Sequence, residues 1–266
     1  MLKETGRPDA EMKHTSRDDR VQASAPHDPM EGVRKPALII LHQEHSNPGH
    51  VGQWFTRNGF ALDIRRPRFG DPLPTTMAGH CGAVIFGGPM SANDTDDYVK
   101  VETDWIGVTL KEQAPFLGIC LGAQMLARHL GSRVYLDPAA EVEIGYFPIT
   151  PTAAGRVLGP WPDRFYEWHK EGFDVPSGGA LLATGGGVFP NQAFQYGKAA
   201  LAVQFHPEIT CAQVHRWSGH NAEKLLQKGA QPQHTQLDGH RHYVRQVHAW
   251  LDAVMRQWVR VERKTS

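Results

Sequence analysis

The chain has 266 residues and carries 28 basic and 28 acidic side chains, so it has no net charge with its 15 histidines neutral. That balance argues against a nucleic-acid partner or an anionic membrane surface, because no basic excess is available to neutralise phosphates. No stretch approaches the roughly 18 apolar residues of a membrane span, and three widely spaced cysteines, Cys81, Cys120 and Cys211, fit a reducing compartment better than a disulfide framework.

Residues 1–35 mix acids, bases and small polar residues with Pro8, Pro26 and Pro29, and show almost no apolar periodicity. This is the texture of a disordered leader. It lacks the apolar stretch of a secretory signal, and its acids count against an organelle transit peptide, so the expected location is the cytoplasm. From Ala37 to Leu41 the residues are continuously apolar, as in a parallel strand covered on both faces. Residues 49–58 spell a short helix stopped at Gly59, residues 60–64 a second strand, and the proline- and glycine-rich residues 65–74 a loop.

A third strand over 81–86 runs into Gly87-Gly88-Pro89-Met90-Ser91. Glycines at the C-terminal end of a strand leave backbone N–H groups unobstructed, and in an open α/β sheet ligands bind there. A plain glycine turn is the competing reading. Tyr98, Val101, Trp105, Ile106 and Thr109 or Leu110 then form a helical stripe leading to a strand over 115–119, which completes a βαβ unit with a right-handed crossover. The strand breaks at Cys120, flanked two positions away on either side by Gly118 and Gly122, and a helix follows as far as Leu130, with Gly131 as its stop. This is the pattern of a nucleophile elbow, which places the thiol beside a helix N-terminus that favours a thiolate. A small buried cysteine in a tight turn would look the same.

Beyond Gly131, residues 133–136, 143–149 and 179–184 read as shorter strands that add an antiparallel part to the sheet, and residues 193–205 as a hairpin. The hairpin ends in Gln204-Phe205-His206-Pro207-Glu208. In an extended segment His206 and Glu208 point the same way, so the carboxylate could orient the imidazole, although an exposed turn fits equally. Residues 211–260 read as helices with a loop over 229–239. Val244, Val247, His248, Leu251, Val254, Met255 and Trp258 make the docking face of the last helix. A cysteine, a histidine and a carboxylate satisfy the general logic of a nucleophilic triad, provided they converge.

Gly118-Ile119-Cys120-Leu121-Gly122-Ala123-Gln124, Gly87 to Ser91 and Gln204 to Glu208 together resemble the three signature blocks of class I glutamine amidotransferases, in the same order. The resemblance is strongest to stand-alone proteins similar to the glutaminase part of GMP synthase, and it covers roughly residues 37–258. It implies a flavodoxin-like open mixed sheet, mostly parallel, in one domain over residues 36–260, followed by a short tail. It further implies that Cys120 attacks the carboxamide of glutamine, His206 moves the protons and Glu208 orients His206. Gly88 and Leu121 would supply the oxyanion-hole N–H groups, and Gln124 would hold the amino-acid end of the substrate. A γ-glutamyl thioester would be hydrolysed to glutamate and ammonia, with no metal and no cofactor required. Trp168 or His169 would border the pocket.

Other readings fit less well. A cysteine-bearing α/β-hydrolase would place its acid before the histidine, and a redox protein with a similar elbow would not need the His-Pro-Glu block. Ser177-Gly178-Gly179 lacks the rest of a nucleotide-activating phosphate loop, so GMP synthesis is not expected. Two enzymatic alternatives survive, delivery of ammonia to a separate synthetase partner and direct hydrolysis or transfer of γ-glutamyl compounds. A non-catalytic binding module would have no chemical need for all three groups. The pairs His42/His45 and His240/His242 lack the company of a zinc site.

Overall fold

The structure, a computed structural model, describes residues 34–260; all but the last two residues of the expected leader, and the tail at 261–266, lie outside the described residues. In chain order the elements are β1 (Ala37–Ile40), α1 (Gly49–Arg57), β2 (Leu62–Arg65), β3 (Gly82–Ile85), α2 (Asp97–Lys111), β4 (Phe116–Ile119), α3 (Leu121–His129) and β5 (Val134–Leu136). They continue as β6 (Glu143–Pro151), β7 (Arg164–His169), β8 (Glu171–Phe173), β9 (Gly179–Gly185), β10 (Asn191–Tyr196), β11 (Ala200–Val203), α4 (Cys211–His220) and α5 (Gln233–Arg260).

Nine strands form one mixed sheet in the order β2-β1-β3-β4-β11-β10-β9-β6-β7. From β2 to β11 neighbours are parallel, and from β11 to β7 they are antiparallel. Every residue of β1, β3, β4 and β11 is buried, which is why these strands read as unbroken apolar runs rather than as alternations. Register then decides where the loops emerge. Ile85 pairs with Gly118, and Ile119 pairs with Val203, so β3, β4 and β11 end level with one another. The Gly87 loop, Cys120 and the Gln204–Glu208 segment therefore leave the sheet at one edge.

Two apolar layers cover the sheet. On one face Val51, Trp54 and Phe55 of α1 join Trp250, Leu251, Val254 and Trp258 of α5; on the other, Val99, Trp105 and Ile106 of α2 meet Leu121, Met125 and Leu126 of α3. Among the described residues no helix is long and apolar enough to cross a membrane.

The structure corrects several boundaries. β2 starts at Leu62, two residues later than expected, and β5 pairs with β8 in a separate two-stranded ribbon instead of joining the main sheet. The loop expected over 229–239 ends before Gln233, and Gly239 lies within α5. A glycine serves there because a Cβ would come within 2.6 Å of the Tyr146 ring. On α2, Val101 is 54% exposed whereas Glu102 is wholly buried, the reverse of what the apolar stripe predicts. Residues 166–173, expected to border the pocket, are mostly strand, in β7 and β8.

Candidate active site

Cys120 stands between β4 and α3 with φ 50° and ψ −104°, a backbone conformation that costs a residue with a side chain. Its N–H donates to the Val203 carbonyl at 2.8 Å, so the parallel ladder holds the turn from one side. The flanking glycines are explained by close approach. A Cβ on Gly118 would lie 2.5 Å from the Gly122 carbonyl oxygen, and one on Gly122 would lie 2.2 Å from that of Ile85. The first turn of α3 thus sits directly on β3 and β4, and its N-terminal N–H groups, which have no intrahelical partner, open beside the thiol.

His206 and Glu208 lie in a turn after β11, not in an extended segment. They face each other all the same, with Nδ1 of His206 2.8 Å from Oε1 of Glu208 and both side chains almost fully buried. Backbone bonds hold this turn at two points. The His206 N–H donates to the Tyr166 carbonyl of β7, and the His50 N–H at the start of α1 donates to the Glu208 carbonyl, each at 2.8 Å. Because a carboxylate accepts, Nδ1 carries a proton and Nε2 is the working nitrogen. Nε2 is buried and has no hydrogen bond of acceptable geometry among the described residues. A Cβ placed on Gly87 would lie 2.8 Å from His206 Cε1 and 3.5 Å from Cys120 Cβ, so the ring, the cysteine and the glycine loop converge. Burial alone would lower the pKa of His206, but the Glu208 carboxylate and the Cys120 side chain outweigh it and raise the pKa well above its ordinary value. Trp217 of α4 stands edge-on to the imidazole, with ring centroids 5.0 Å apart.

The Gly87-Gly88 loop has a support that sequence reasoning missed. His42, just after β1, donates from Nδ1 to the Gly87 carbonyl at 3.1 Å, and its Nε2 lies 2.7 Å from Oε2 of Glu102 on α2. Both side chains are wholly buried. The available signal was a lone glutamate on the helix after the glycine loop, which periodicity assigns to solvent.

Gln124 is buried in α3, and its amide nitrogen donates to the Glu171 carbonyl at 2.8 Å and to Oε1 of Gln204 at 3.2 Å. It braces β8 and the end of β11 against the elbow helix. His169, at the end of β7, is also buried. Its Nδ1 donates to the Glu171 carbonyl at 2.9 Å, and its Nε2 lies 3.1 Å from Oε2 of both Glu143 and Glu167. Burial would lower the pKa of His169, but the two carboxylates raise it to about 10. Burial pushes Glu167 up to about 7, with His169 pulling against it. Trp168 faces the other way, towards Trp217 at 5.8 Å.

Residues 57–216 match the family model described as Glutamine amidotransferase class-I. The glutamine amidotransferase-like protein YfeJ of Salmonella typhimurium is 28% identical over 197 residues, which cover 70% of this chain and 81% of that protein. A GMP synthase of Bdellovibrio bacteriovorus is 30% identical over 131 residues, 48% of this chain but only 24% of that enzyme. Among solved structures, a glutamine amidotransferase from Methylobacillus flagellatus superposes with a TM-score of 0.79 at 27% identity, covering 85% of this chain and 95% of its own. One from Thermotoga maritima gives 0.76 at 28% identity, covering 84% and 97%.

Proposed function

The chain belongs to the class I glutamine amidotransferases, and from that premise we propose that it hydrolyses the side-chain carboxamide of glutamine to glutamate and ammonia through Cys120, His206 and Glu208. The observation that carries this reading is the meeting of Cys120, in its strained turn, with an imidazole that is buried, bonded to Glu208 and packed against Gly87. In the resting state the raised pKa of His206 favours an imidazolium beside the Cys120 sulfur.

The thiolate attacks the carboxamide carbon, and the oxygen becomes an oxyanion that accepts hydrogen bonds from the backbone N–H groups of Gly88 and Leu121. The imidazolium gives its Nε2 proton to the departing nitrogen, the C–N bond breaks, and ammonia leaves with a γ-glutamyl thioester remaining on Cys120. Neutral His206 then takes a proton from water as the water oxygen attacks the thioester carbon. Collapse breaks the C–S bond and restores the thiolate–imidazolium pair. Glu208 holds the ring in the tautomer that points Nε2 at the sulfur throughout. Gln124 acts as a positioning residue, since its amide nitrogen is engaged within the protein, while His169 lines the substrate side. The ammonia would serve a separate synthetase.

Glutaminase assays on the full chain test this reading, with γ-glutamyl dipeptides run in parallel. Cys120→Ala is expected to remove glutamine turnover to background and to block trapping of a γ-glutamyl thioester. Turnover that survives the substitution would overturn the mechanism. Activity on γ-glutamyl dipeptides without activity on glutamine would move the assignment to a γ-glutamyl peptide hydrolase using the same thioester chemistry.

A further inference from the structure

We infer that Glu143, Glu167 and His169 form a binding site for one divalent transition-metal ion of the class that takes imidazole and carboxylate ligands. The pairing of β6 with β7 builds the site. Glu143 lies opposite His169 in the antiparallel register, and Glu167 lies two residues before His169, so strand alternation puts both β7 side chains on one face. The three ligand atoms lie within 4.8 Å of one another, and all three residues are buried.

Hydrogen-bond bookkeeping at His169 leaves a place for a cation between these groups. A carbonyl oxygen can only accept, so the Nδ1 contact with the Glu171 carbonyl assigns a proton to Nδ1. In the neutral ring the Nε2 lone pair then points at two carboxylate oxygens, each 3.1 Å away. The two carboxylates draw a proton to Nε2, but a proton satisfies only part of the arrangement. Nε2 makes no hydrogen bond of acceptable angle, and neither oxygen of the wholly buried Glu167 has a hydrogen-bond partner among the described residues. One proton cancels only one of the two carboxylate charges and leaves the other to a second proton on Glu167, whose pKa burial raises to about 7, whereas a divalent ion with neutral imidazole cancels both.

The spacing fits such an ion. Bonds of about 2.0–2.1 Å in a tetrahedral site place neighbouring ligand atoms about 3.3 Å apart. The second Glu167 oxygen is available to complete the coordination. Supporting bonds of the kind that orient metal ligands are present as well. Glu143 accepts from the Phe189 N–H at 3.1 Å and from Gln192 Nε2 at 2.9 Å, and His169 is tied to the Glu171 carbonyl. One nitrogen and carboxylate oxygens, without thiolate, favour Zn2+, Mn2+ or Fe2+ over Cu+. The ion would take no part in the thioester chemistry. It would stiffen β7, whose Tyr166 carbonyl seats the His206 N–H.

Equilibrium dialysis of the chelator-stripped full chain against Zn2+ alone tests the site, together with the absorption spectrum of the Co2+-loaded chain. One equivalent of Zn2+ is expected, with affinity weakened at least about 100-fold in Glu167→Gln, since a lost ligand costs more than a lost outer-shell partner. The Co2+ spectrum should show ligand-field bands of low coordination number and no thiolate charge-transfer band, and this readout needs no variant to fold. Absence of bound Zn2+, equal binding by Glu167→Gln, or a thiolate band placing the metal on a cysteine would each overturn the inference.

Discussion

Glu102 shows how a single carboxylate can be decisive where local pattern assigns it no role. It is wholly buried on α2 and faces His42, whose other nitrogen holds the Gly87 carbonyl. The pair therefore sets the direction of the loop whose next N–H is proposed to meet the oxyanion. Glu102→Gln keeps the shape and removes the charge, so the loop should loosen without changing what the pocket contacts. The expected result is a kcat about tenfold lower with KM little changed, a milder loss than removal of an oxyanion donor. Steady-state kinetics on glutamine checks this, and an increase confined to KM would refute it. Cys120, His206 and Glu208, the proposed nucleophile, base and carboxylate, stand out in the sequence because each sits in a short block of distinctive residue types. The His42–Glu102 support does not, since its partners lie 60 residues apart and neither has a local signature.

Among the elements, α5 links stability to the site. Trp250 is 1% exposed and packs against Trp161, Phe165 and Phe205 at centroid distances of 4.9, 5.0 and 5.5 Å. Phe205 in turn stacks on Phe165 at 3.9 Å and immediately precedes His206. Trp250→Ala should cost about 3–5 kcal/mol, the range for deleting a large aromatic from a packed core. Denaturant unfolding measures it, and a loss below about 1 kcal/mol would show that the site collapses around the gap. The helical period of α5 was readable from sequence. Its start was not, because Gly239 reads as a helix breaker until the approach of the Tyr146 ring is known.

For the whole molecule, the packing of α5 against the rest makes stability depend on pH. His248 lies against His50 with centroids 3.8 Å apart, and His240 bonds Tyr146 Oη through Nδ1 at 3.0 Å. Burial and then the charge of His50 lower both pKa values from 6.5 to about 4, with further lowering of His248 by His240 and Arg57. Between those values the unfolded chain binds protons that the folded chain refuses. Stability should therefore fall as pH drops from 6.5 towards 4, with no contribution from these two groups above that window. The His248 ring is partly solvated, which screens its share, whereas His240 is buried. Urea midpoints at about pH 7 and about pH 4.5 should differ less in His248→Gln than in the unaltered chain; an equal difference would remove His248 from the account.

Sequence by itself determined the parallel core, the elbow and the three blocks, because four fully buried strands and a tight strand–helix turn restrict residue type at every position. It also carried the resemblance that the family match supports. Tertiary structure alone decided what converges. Strand register brings the ends of β3, β4 and β11 level with one another, the turn after β11 lets His206 reach Glu208, and the β6–β7 pairing gathers Glu143, Glu167 and His169 on one buried face. Such groupings depend on contacts between residues far apart in the chain, and hydrophobic periodicity, which reports only whether a side chain faces the core, does not say which polar groups meet there.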